Sequence, residues 1–115
     1  MTFRLGLIVN PIAGMGGTVG LKGSDTPEIV ARARELGAKP QAPERAGQAL
    51  AAIVAAKQPL ELFAAAGEMG EAEARAAGLT PEVIGTPIEG DTAAEDSVRA
   101  AQAMADLPVD LILFA

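Results

Sequence analysis

The residues best suited to chemistry are Asn10-Pro11-Ile12-Ala13-Gly14-Met15-Gly16-Gly17 and the stretch that follows to Gly23, which adds Gly20. Glycines placed directly after a buried strand let the backbone approach an anion closely and turn N–H groups toward it, the chemistry of a phosphate-holding loop. Two familiar spacings fail. The dinucleotide pattern G-x-G-x-x-G, started at Gly14 and Gly16, needs glycine at a position occupied by Val19. The Walker pattern needs Gly-Lys followed by Ser or Thr, whereas Lys22 follows Leu21 and precedes Gly23. Lys22 is placed either to reach a phosphate or to sit in solvent. The loop itself is open to a plainer reading, a connection that needs positive φ.

Two further loops carry candidates. Gly67-Glu68-Met69-Gly70-Glu71 offers two carboxylates, suited to magnesium or ribose hydroxyls, or to favouring a helix N-terminus and nothing else. Thr86-Pro87-Ile88-Glu89-Gly90-Asp91-Thr92 puts Thr86 at a strand's carboxyl end, while helix capping accounts for Asp91 and Thr92. Asp96 and Asp106 are expected to be solvated.

Composition narrows the chemistry. The 115 residues suit one domain, and half of them are hydrophobic. With three Phe and no Trp or Tyr, the core falls to Ala, Leu, Ile and Val, which stabilise through many close contacts. No cysteine and no histidine occur, which excludes disulfides, thiolate metal sites, a catalytic zinc and a Ser-His dyad. A net charge of -6 and scattered basic residues argue against nucleic acid or an anionic membrane as partner. No apolar run approaches the roughly 20 residues that span a bilayer. Met1-Thr2-Phe3-Arg4 is not laid out as a signal peptide, so a cytoplasmic location is expected.

The elements that must hold these loops follow from periodicity and breakers. Phe3 to Val9 reads as a strand buried on both faces, ending at Asn10-Pro11. Asn10 to Gly23 has too many glycines for a helix interior. Thr26-Pro27-Glu28 starts a helix that runs to about Leu36 and stops at Gly37. A second helix spans about Pro43 to Lys57, with Ala46, Ala49, Leu50, Ile53 and Val54 on its apolar face. Leu60 to Ala65 is a strand, Gly70 to Ala77 a short helix and Glu82 to Gly85 a brief strand. Thr92-Ala93-Ala94-Glu95 matches a capping box and opens a helix to about Ala105. Val109 to Ala115 is a last strand, apolar enough to be central. The fold class is therefore α/β: a Rossmann-like parallel sheet with helices on both faces.

Four segments carry a resemblance: the Asn10–Gly17 loop after its strand, Gly20-Leu21-Lys22-Gly23-Ser24, Gly67-Glu68-Met69-Gly70, and Thr92-Ala93-Ala94-Glu95-Asp96, with the closing Val109–Ala115 strand. In that order they resemble the N-terminal lobe of the NAD kinase/diacylglycerol kinase superfamily, along essentially the whole chain. The nearest likeness is to the bacterial ATP-NAD kinase-like branch that includes the acetoin-catabolism X proteins. The resemblance implies a nucleotide-binding lobe whose protein uses ATP, NAD and a divalent metal such as magnesium. By the same resemblance, nucleotide contacts fall on Asn10, Gly14, Gly16, Gly17 and Thr86. In the superfamily the closing strand leads into a Gly-Gly-Asp-Gly-Thr loop bearing the catalytic acid. That implies a chain forming the front part of a longer two-domain protein, without turnover by itself. Surface meant for a second lobe points to a homodimer or higher oligomer. The alternatives are a non-catalytic nucleotide-binding or regulatory module of acetoin metabolism and a stand-alone flavodoxin-like domain.

Overall fold

Along the first strand Leu5, Leu7 and Val9 alternate with Gly6 and Ile8, and the two sets pack against different helices. A period of two means one set per face, so this strand has a helix layer on each side. The computed structural model describes residues 2–21 and 26–115. Lys22, Gly23 and Ser24 of the sequence reading lie outside the described residues.

Four strands form one all-parallel sheet: β1 (Phe3–Ile8), β2 (Leu60–Ala65), β3 (Glu82–Ile84) and β4 (Leu111–Phe114), in the order β3-β2-β1-β4. Among the described residues five helices connect them: α1 (Met15–Thr18), α2 (Pro27–Glu35), α3 (Ala42–Ala55), α4 (Glu71–Ala76) and α5 (Ala94–Ala105). A single 3-10 turn, Gly67–Met69, precedes α4. This is a Rossmann-like α/β architecture.

On one face Leu5, Leu7, Val9, Leu62 and Ala64 meet Ala42, Ala46 and Leu50 of α3 and Ala74 of α4. On the other, Ile8 and Ala65 meet Met69 and Met104 of α5, with Ile84, Ala100 and Ile112 at the margin. Gly6 belongs to this second face, where any Cβ would stand 2.9 Å from the Met104 sulfur, so the missing side chain seats α5. The chain steps from β1 to β2 to β3 with α3 and α4 on one face, then returns past β1 to β4 with α5 on the other. Reversing both direction and face keeps one hand of crossover throughout.

Three expectations need correction. The glycine-rich loop is not free of helix: Met15–Thr18 winds one α-helical turn that includes Gly16 and Gly17. Tertiary packing outweighs propensity there, because Met15 is fully buried with Ile12, Val30 and Ala33 in a satellite core. A Cβ on Gly16 would come within 2.9 Å of Ile29 on α2, so the helical turn closes on α2 only as glycine. The second correction concerns β4, which pairs with β1 alone among the described residues and is an edge strand, not a central one. Its Leu111 and Phe114 are 56% and 57% exposed. Third, the first strand is buried on both faces only from Leu5 onward; Phe3 and Arg4 are exposed. The strand order also excludes the flavodoxin-like alternative, in which the third strand would flank the first on the side that β4 occupies here.

Candidate functional site

In open parallel sheets the crevice for a ligand lies beyond the carboxyl ends of the strands, where the strand order reverses. Here the reversal falls between β1 and β4, so the residues just after Ile8 and Phe114 border it. Asn10 stands at that point. Its backbone N–H donates to the Ala115 carbonyl at 2.9 Å, and the Ala115 N–H donates to the Ile8 carbonyl at 3.0 Å, extending the β1–β4 pairing to the sheet's rim.

The Asn10 side chain is buried and fully engaged within the protein. Its Nδ2 donates to the Ala93 carbonyl at 2.8 Å and to Ser97 Oγ at 3.1 Å, and its Oδ1 accepts from Thr92 Oγ1 at 2.6 Å. One amide thus ties the end of β1 to the start of α5. The expected direct contact between Asn10 and a nucleotide would require breaking this network; as it stands, the side chain sets the geometry of the rim.

The helix cap adjoins the same network. The expected box used Thr92 and Glu95. The N-cap is Ala93 instead, and Asp96 Oδ2 accepts the Ala93 N–H at 2.7 Å. Thr92 does not cap; it precedes the N-cap and its hydroxyl is turned to Asn10, to whose Oδ1 it donates. Asp96, expected in solvent, is 8% exposed and also pairs with Arg99. Asp91 does not cap either: its carboxylate takes a two-pronged ion pair from Arg34 of α2, both bonds at 2.7 Å. Those bonds hold the Asp91 carboxyl below its usual range and raise the Arg34 guanidinium.

Gly14 precedes α1 in the left-handed region, φ 75°, with open space where a Cβ would be. It lines a cleft of about 400 Å³ formed with Ala13, the first two turns of α3 (Ala42, Arg45, Ala46, Ala49) and Leu113, Phe114 and Ala115 at the end of β4. Gly17 is exposed with open space around it, whereas Gly16 is buried under α2. Thr86 is exposed and lines a different cleft of about 230 Å³ with Ala66, Met69, Ile88, Asp96 and Arg99, on the α5 face. The two clefts share no residue. Gly14 and Thr86 therefore border opposite sides of the sheet rim, with Asn10 between them as part of the frame. A larger cavity, about 480 Å³ between α3 and α4, includes none of these residues.

The acidic loop is already used internally. Glu71 Oε1 accepts the Gly67 N–H at 2.9 Å, and Oε2 pairs with Arg75 at 3.0 Å. These bonds, the backbone one first, keep its carboxyl below the usual range. Glu68 is exposed. Among the described residues no group of three or more carboxylates is disposed to hold a metal ion. Glu73 is the misfit carboxylate: burial raises it, partly offset by its own N–H and that of Gly70, while its Oε2 is buried with no partner.

Sequence reasoning missed Arg45 and Ser97, and it named Asp96 only as a solvated residue and as the end of the Thr92–Asp96 segment; nothing marked Arg45 among the other surface arginines. No helix among the described residues is long and apolar enough to cross a membrane. Comparison with protein-family models, curated proteins and solved structures finds no match to this chain.

Proposed function

We propose that this chain is a nucleotide-binding α/β lobe of the ATP-NAD kinase-like type, acting in the cytoplasm. Its ligand is ATP or NAD, bound at the carboxyl rim of the sheet. One observation carries the reading: the Asn10–Gly17 loop leaves β1 where the strand order reverses and opens, through Gly14, onto a cleft of about 400 Å³. In this reading Gly14 and Gly17 present backbone to the phosphates, Asn10 frames them, and Thr86 borders the far side of the rim.

Phosphoryl transfer depends on positioning and charge stabilisation around a catalytic acid, and the Gly-Gly-Asp-Gly-Thr sequence that supplies it in the resembled superfamily does not occur in these 115 residues. The expected behaviour is binding without turnover. Calorimetric titration with ATP and with NAD, paired with thermal melting, tests it. Saturable binding with a rise in melting temperature is expected, since a ligand that binds only the folded state stabilises it. No heat and no shift at millimolar concentrations of either would end the proposal. ATP-dependent phosphorylation of NAD by the chain alone would contradict its second half.

A further inference from the structure

Arginine accounting singles out one residue. Of the six arginines, Arg4 pairs with Glu61 at 3.2 Å, Arg32 with Glu35 at 3.0 Å, Arg34 with Asp91 at 2.7 Å, Arg75 with Glu71 at 3.0 Å, and Arg99 with Asp96. Arg45 has no carboxylate partner among the described residues; its Nη2 donates to the neutral Gln41 Oε1 at 3.2 Å. Arg75 and Arg45 make the same helical i−4 contact, one to a glutamate and the other to a glutamine. In a chain of net charge -6, the guanidinium left without a carboxylate among the described residues is the one that lines the switch-point cleft.

We propose that Arg45 is the anion-binding residue of that cleft and holds a phosphate of the nucleotide, a proposal that rests on the nucleotide reading. A guanidinium presents a planar fork that matches two phosphate oxygens. Gly14 stands on the opposite lip with no side chain in the way. Leu113, in register with Leu7 on the α3 face of β4, supplies an apolar wall against which a base or nicotinamide ring lies, with Ala46 and Ala49 as the floor. The cleft thus suits a ligand with one anionic end and one flat apolar body.

The experiment is calorimetric titration of ATP, NAD and inorganic pyrophosphate into the wild-type chain, Arg45→Gln, Arg45→Lys and the charge-matched control Arg32→Gln. Arg45 is exposed on α3, and circular dichroism checks that each variant is folded. Arg45→Gln is expected to weaken ATP and pyrophosphate by about tenfold or more, as loss of a charged hydrogen bond does. Arg45→Lys should fall in between, and Arg32→Gln should match wild type. Equal ATP affinity in wild type and Arg45→Gln overturns the assignment and leaves the nucleotide reading standing. Pyrophosphate binding that disappears in Arg45→Gln, without any affinity for ATP or NAD, upholds the assignment and removes the nucleotide reading. An equal loss in Arg32→Gln traces the effect to net charge and overturns the assignment, as does a wild-type chain that binds none of the three anions.

Discussion

Asn10 satisfies three polar groups on a segment more than 80 residues away in sequence, and this makes it the most consequential single side chain at the rim. Asn10→Ala would leave the buried Thr92 hydroxyl without its acceptor and loosen the start of α5. A cost of about 2–4 kcal/mol in urea denaturation is expected, from one strong bond, two weaker ones and a stranded polar group. A loss under about 0.5 kcal/mol, the range of an ordinary surface change, would show the network to be incidental. Glu73 predicts the opposite direction. A carboxyl raised by burial costs stability while ionised; the cost is full above the raised value and fades as pH falls through it toward the ordinary one. Glu73→Gln should therefore stabilise at neutral pH, by less than about 1 kcal/mol because the group is partly exposed. That advantage should vanish in acid, and an advantage constant with pH would refute the cause given. Glu71 and Asp91 run the other way: held low, each adds stability above the usual carboxylate range and loses it as pH falls through its depressed value.

At the level of elements, the turn between β2 and α4 shows how closely the rim is packed. Gly70 has φ 143°, and a Cβ there would lie 2.9 Å from the Leu7 carbonyl oxygen, while the Met69 carbonyl accepts the Val9 N–H at 2.7 Å. Gly70→Ala combines a backbone conformation hostile to side chains with a clash against main chain that has little room to move. A cost of about 2–4 kcal/mol is expected; an unchanged melting temperature would mean that β1 and this turn are not so tightly joined. The beginnings and ends of α2 and α4 were legible in advance because their signals are local. Thr26 Oγ1 accepts the Ile29 N–H at 3.3 Å, Pro27 opens α2, and Gly37 and Gly78 follow the helices at φ 89° and 86°. The cap of α5 was misplaced by one residue: it is Ala93, and Thr92 before it is turned to Asn10, a contact invisible in a four-residue pattern.

For the molecule as a whole, the open question is the flank of β4. Its strand edge beyond β1 is unpaired among the described residues, its Leu111 and Phe114 are exposed, and no charge interrupts Leu111–Phe114. Exposed apolar edges without charge, proline or bulge invite pairing. Concentration-dependent association is expected in sedimentation velocity, and Phe114→Lys should reduce it. A chain that stays monomeric at high concentration would count against the oligomer expected from the sequence.

By itself the sequence determined the α/β class, the four strands and the principal helices, because strand runs, helical periodicity, proline and glycine act over a few residues. It also placed the glycine-rich loop directly after the first strand. Only the tertiary structure decided the strand order, the edge position of β4, the helical turn inside the glycine loop and the division of the rim into two clefts. The physical reason is range: Asn10 and Thr92, 82 residues apart, and Arg34 and Asp91, 57 apart, select one another through packing that no local pattern encodes.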